Sequence, residues 1–305
     1  METIAHALLP IITLILVGYA LKRVDFMPGE AWAGMEKLTY FVLFPALLVN
    51  TLGRQDLSGA PWVKMSLVIV AVLCSIALLL FVLNRLWWRY ACPTFTSVFQ
   101  GSVRFNTYIS LAVAQSLFGE SGLAMASIAA GFMIVVINLL TISTFALCDR
   151  SKFNGAIPLA REILLNPLIM ACLVGWFFSL SGLGISGAAS DILDIIGQAA
   201  LPFGLLAVGA ALRPGKLGGQ FVPLLVSSVF QFGVKPALVS GLILLTGLGG
   251  TAASGLLVSF MVPTATSSYI LARQLGGDTE IMSSIITFET LIAFLLMPLI
   301  AFLLL

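Results

Sequence analysis

The sequence predicts an all-α membrane protein: ten transmembrane helices in two inverted five-helix repeats, with helices 4 and 9 broken and crossing at the midplane. Three observations predict it. The 305 residues are 60% hydrophobic and only 9% charged, against about a quarter charged in a soluble domain. Such a chain cannot cover a water-facing surface with polar groups and needs lipid as its solvent. Apolar runs near the roughly 20 residues that span a bilayer recur along its whole length. A shift of 157 residues lays the prolines and glycines of the first half on those of the second.

The runs lie near Ile4–Leu21, Trp32–Leu52, Trp62–Asn84, Phe95–Phe118, Gly122–Leu147, Ile163–Leu180, Ala188–Leu212, Gln220–Thr246, Ala252–Leu275 and Ile281–Leu304. Residues 1–148 form the first repeat, 149–160 a cytoplasmic linker and 161–305 the second repeat. The first run is preceded by no basic segment and ends at Lys22-Arg23 without a small-residue cleavage site, so it reads as a retained helix. Lys22, Arg23, Arg85, Arg89, Arg150, Lys152, Arg161, Arg213, Lys216 and Arg273 fall in odd-numbered connections, while even ones hold Arg54 and Lys64. The excess of positive charge places odd connections inside and both termini outside, in a multi-pass protein of the cytoplasmic (inner) membrane.

On the repeat diagonal Pro10 meets Pro167, Gly18 meets Gly175, Pro45 meets Pro202, Thr107 meets Thr264 and Gly119 meets Gly276. Five helices per repeat invert one half against the other, and transporters of that design hold their site at the repeat interface. The diagonal also pairs Asn106 with Pro263. Arg104-Phe105-Asn106-Thr107 and Pro263-Thr264-Ala265-Thr266-Ser267 put polar residues and a proline near the centres of two apolar runs. Proline removes a backbone donor and clashes with the preceding turn, and Asn, Ser and Thr cap freed helix ends. Both runs are therefore expected to break where they line a cavity. Two half-helix N-termini then favour an anion, and Arg104 adds a fork of donors shaped for a carboxylate. The expected substrate-binding residues are Arg104, Asn106, Thr107, Pro263, Thr264, Thr266 and Ser267. The competing reading makes Pro263 a kink, with the hydroxyls bonding back into their own helix.

Lys235 and Glu289 are two further ionisable residues at depth. They read either as coupling groups or as a charge pair that neutralises both. Asn50, Asn138 and Gln231 could line the cavity; for the two asparagines, binding helix to helix is the alternative. Gly204 and Gly209 suggest close helix packing. Cys74, Cys92, Cys148 and Cys172 form no CxxC pair and are expected as free thiols. A metal or other cofactor has no ligand cluster to bind it, and H⁺ or Na⁺ is left open as the coupling ion. One histidine and no HExxH argue against a membrane hydrolase, and the absence of a basic cluster argues against nucleic acid.

Arg104-Phe105-Asn106 with Phe118-Gly119, Val262-Pro263-Thr264-Ala265 with Tyr269, Ala272 and Gly276-Gly277-Asp278, and Leu43-Phe44-Pro45 together give the chain a resemblance to the auxin efflux carrier family. It resembles most the bacterial branch with malonate-transporter-like members, and the likeness covers essentially the whole chain. The resemblance implies a secondary transporter of small organic anions, carboxylates, working by an elevator-like cycle. Helices 1, 2, 6 and 7 would form a scaffold and the others a moving domain. It further implies a homodimer as the assembly and matches Asn106 and Pro263 to the family's crossover residues. Plant members often carry proline where this chain has Thr107, so the break in helix 4 is expected to be less sharp. A sodium/proton-type cation antiporter on a related fold is the alternative, although such exchangers usually place paired carboxylates at the crossover.

Overall fold

The computed structural model describes residues 2–54, 59–148, 166–214 and 221–304. The expected linker at 149–160 lies outside the described residues. Among those described the regular structure is all helical, with no strand. The helices are α1 (Glu2–Arg23), α2 (Gly29–Leu38), α3 (Phe44–Gly53), α4 (Trp62–Leu83), α5 (Cys92–Val103), α6 (Thr107–Cys148), α7 (Pro167–Leu180), α8 (Gly187–Gln198), α9 (Ala200–Ala211), α10 (Phe221–Val229), α11 (Lys235–Thr246), α12 (Gly250–Met261), α13 (Ser267–Leu275) and α14 (Thr279–Leu304). Among the described residues, six continuous helical stretches are long and apolar enough to cross a membrane, and α7 and α12 are shorter apolar helices.

Widened π turns join several of these pieces. One at Thr39–Leu43 links α2 to α3, and one at Phe230–Val234 links α10 to α11. Each ends just before a proline, Pro45 or Pro236. A proline supplies no N–H and presses on the carbonyl four residues back, and an added residue in the turn relieves both problems. In α6 the chain turns at Gly119, where φ is 63° and ψ −152°, a left-handed-side conformation that a side chain opposes.

Glycine sets how closely the helices approach. A Cβ on Gly209 of α9 would stand 1.9 Å from the Ile15 carbonyl oxygen of α1, and one on Gly18 would stand 2.1 Å from that of Leu206. Gly175 of α7 lies close to α3, where an added Cβ would stand 2.8 Å from the Leu52 Cβ and 3.3 Å from the Leu48 carbonyl oxygen. Backbone-to-backbone contact of this kind replaces the hydrophobic driving force that helices lack in lipid.

Connections gather into two sets. The Asp278 N–H donates to the Pro93 carbonyl (3.1 Å) and the Ser97 hydroxyl to the Asp278 carbonyl (2.9 Å), which joins the turn after α13 to the start of α5. The Ile185 N–H donates to the Gly53 carbonyl (3.0 Å), joining the turns after α7 and α3.

The cysteine expectation needs correction. Cys74 and Cys172 are free, but Cys92 and Cys148 form a disulfide with their Cα atoms 5.6 Å apart. The two residues lie 56 positions apart in sequence. The start of α5 and the end of α6 meet only once both helices have folded, so spacing alone gave no sign of it.

Candidate functional site

Two interruptions of helix carry the site. α5 stops at Val103, Arg104 is extended (φ −72°, ψ 164°), and α6 begins at Thr107. α12 stops at Met261, Val262 is extended (φ −83°, ψ 156°), and α13 begins at Ser267. The interruptions touch, because the Asn106 N–H donates to the Pro263 carbonyl at 2.8 Å. The break at 104–106 is thus complete despite Thr107 standing where a proline would sharpen it.

The two new helix starts are not equivalent, which corrects the expectation of two open positive ends. Asn106 Oδ1 accepts from the backbone N–H of Tyr108 (3.1 Å) and Ile109 (3.2 Å), so α6 is capped by its own chain. No side chain caps α13. Its Ser268 and Tyr269 N–H groups donate to the backbone carbonyls of Ala265 (3.1 Å) and Thr266 (3.2 Å), and the start carries the partial positive charge of a helix end.

That open end faces a cavity of about 650 Å³ whose wall includes Arg104, Phe105, Asn106, Thr107, Ala265, Thr266 and Ser267. Asn138 of α6 and Asn166, the cap of α7, add polar groups. Arg104 reaches Asn138 Oδ1 at 3.4 Å and Ser267 Oγ at 3.5 Å, both long contacts. Of the substrate-binding residues expected from sequence, Arg104, Asn106, Thr107, Thr266 and Ser267 line this cavity together with Asn138.

Pro263 and Thr264 are not in that wall; they are fixed behind it. The Thr264 N–H donates to Glu289 Oε2 at 3.0 Å, and the Ser227 hydroxyl donates to Glu289 Oε1 at 2.6 Å. Lys235 Nζ donates to the carbonyls of Val103 (3.4 Å) and Arg104 (3.0 Å) and to Gln231 Oε1 (2.7 Å). Gln231 Nε2 in turn donates to the Val262 carbonyl. Lys235, Gln231 and Glu289 are all fully buried. Lys235 thus clamps the first break and Glu289 the second, and the two charges also interact through space. Gln231 is a link between the breaks and lies outside the cavity wall.

Asn50 also falls outside the cavity. Its side chain accepts from the Ser190 hydroxyl (3.0 Å) and donates to Asp194 (3.4 Å), binding α3 to α8. The sequence reading missed Glu36, Lys37, Tyr40 and Tyr108, which line the cavity from α2, the π turn and α6. Glu36 also borders an adjoining cavity of about 240 Å³ with Arg213, which lies 5.6 Å from the Tyr269 ring centre. Glu36 and Lys37 carried the available signal, as charges inside an apolar run. Their nearness to the first connection hid it.

Residues 153–301 match the family described as Membrane transport protein. The chain is 25% identical over 302 residues to an "Uncharacterized transporter" of Methanothermobacter thermautotrophicus, covering 96% of each protein. It is 24% identical to an uncharacterized transporter of Methanocaldococcus jannaschii, covering 95% of each. It is also 24% identical over 305 residues to a "Putative malonate transporter" of Rhizobium meliloti, covering 96% of this chain and 93% of that one. The match over the second half, and a length shared with proteins named as transporters, make this chain similar to membrane transport proteins.

Proposed function

We propose that the protein is a secondary active carrier of small organic anions, bound at the junction of the two breaks and moved by an elevator-like cycle. One observation carries the reading: Arg104 and the uncapped start of α13 face the same cavity. A planar guanidinium and the positive end of a helix together suit a carboxylate. Lys37 adds a second positive charge to the wall, against the single acid Glu36. The relative named for malonate fits this class of substrate. Matching contacts at Gly18 and Gly175 support two inverted repeats and ten spans, with the touching breaks at the midplane.

The test is counterflow in proteoliposomes. Vesicles preloaded with unlabelled malonate should accumulate labelled malonate transiently and saturably, and the monoamide should compete poorly. Channel-like flux without counterflow, or equal competition by acid and amide, overturns the reading.

The orientation proposed from positive charge puts Ser151 inside and Gly249 outside. Single cysteines at these positions, in a cysteine-free background, should react with an impermeant maleimide in whole cells only at 249. Labelling at 151 alone would reverse the topology.

A further inference from the structure

A smaller cavity opens beside the one at the crossing. It encloses about 240 Å³ and shares Ala33, Glu36, Thr266 and Ile270 with the larger space, so the two adjoin. The rest of its wall comes from the start of α2, the end of α9, α13 and the first turns of α14. The ends of α2, α9 and α14 that form it adjoin odd connections, which the bias of positive charge places in the cytoplasm. Among the described residues the cation in this wall is Arg213. Its backbone N–H donates to the Thr287 hydroxyl at 3.1 Å, which fixes the chain beyond α9 against α14. The side chain is exposed, and its guanidinium carbon lies 5.6 Å from the Tyr269 ring centre. A guanidinium held over a ring face keeps in-plane N–H donors for a carboxylate. Thr266 and Ser283 add hydroxyls to the wall, and Trp32 brings an indole N–H that has no acceptor among the described residues.

We propose that the smaller cavity is a second anion subsite, at which Arg213 receives a small carboxylate on its way between the cytoplasm and Arg104. The proposal rests on the carrier reading above and adds a stop outside the site at the crossing, since Arg213 borders the smaller cavity and not the larger one. Glu36 stands where the two cavities adjoin. An acid there opposes an anion and keeps either stop from holding it too tightly. Passage through successive sites needs binding that is favourable enough to enter and weak enough to leave. Lys37 joins Arg104 in the larger wall alone, so positive charge outweighs Glu36 on the inner side, and the anion is drawn onward from Arg213 to the crossing.

The experiment places a reporter, Ala211→Cys, in a cysteine-free background and follows its reaction with an impermeant maleimide on the purified protein. Ala211 is exposed and borders the smaller cavity but not the larger one. At constant ionic strength malonate should slow the reaction saturably, and uncharged malonamide should not. Adding Arg104→Gln should leave the half-protecting malonate concentration within about threefold, whereas adding Arg213→Gln should raise it about tenfold or more, as loss of a charged hydrogen-bond donor requires. Arg213→Gln keeps the backbone N–H that Thr287 accepts. Equal protection by malonamide, or protection that Arg104→Gln abolishes, overturns the proposal, and both measurements leave Arg213 in place. Protection that survives Arg213→Gln unchanged also overturns it. Failure of the carrier reading is distinguishable: malonate counterflow would be absent while malonate still protected position 211. Counterflow without any protection at 211 would remove the subsite alone.

Discussion

Arg104→Gln is expected to weaken binding of a small carboxylate about tenfold to a hundredfold. Hydrogen bonds to a charged group contribute about 1.5–3 kcal/mol, and the Arg104 guanidinium borders the cavity beside the open start of α13. Its contacts to Asn138 and Ser267 are long, at 3.4 and 3.5 Å. Arg104→Lys should restore only part of the affinity, because a point charge lacks the two parallel donors of the fork. Calorimetry with malonate and its monoamide on all three proteins checks this. Undiminished acid binding by Arg104→Gln, or equal binding of acid and amide to wild type, would show that the anion sits elsewhere.

Pro263→Ala should abolish most transport while leaving the protein folded and inserted. Pro263 lies outside the cavity wall, so its effect runs through the backbone. An alanine supplies the N–H that proline lacks, and helix can then continue past Met261. That would withdraw the Val262 carbonyl from Gln231 and the Pro263 carbonyl from Asn106, two of the contacts that tie the breaks together. Asn106→Ala attacks the same junction from the other side. It removes the cap of α6, at about 1 kcal/mol, and leaves the N–H groups of Tyr108 and Ile109 without their partner. Both variants should elute as sharp peaks in detergent and exchange malonate at under a tenth of the wild-type rate. Wild-type rates at equal expression would remove the junction from the transport path.

Where the backbone leaves helical form was legible locally. Pro263 has no N–H to donate, and Arg104-Phe105-Asn106 interrupts an apolar run with groups that favour capping over a helix interior. Such choices depend on a few neighbouring residues, so a sequence displays them. The close approach at Gly209 was legible for a related reason: a glycine in a membrane helix marks a missing side chain.

The partners of those breaks were not legible, because they come from distant parts of the chain. Nothing near Lys235 announces that its ammonium will meet the carbonyls of Val103 and Arg104, more than 130 residues earlier. Asn106 was a cap candidate from its type, but that it would close α6 and leave α13 open depended on side-chain placement at both starts. Glu36 faces the cavity, and Cys92 reaches Cys148, only because packing brought separate helices together. The sequence by itself determined the solvent, the helices and the points of interruption, since lipid and backbone chemistry act residue by residue. Tertiary structure alone decided which buried charge satisfies which interruption, because that follows from where helices meet in space.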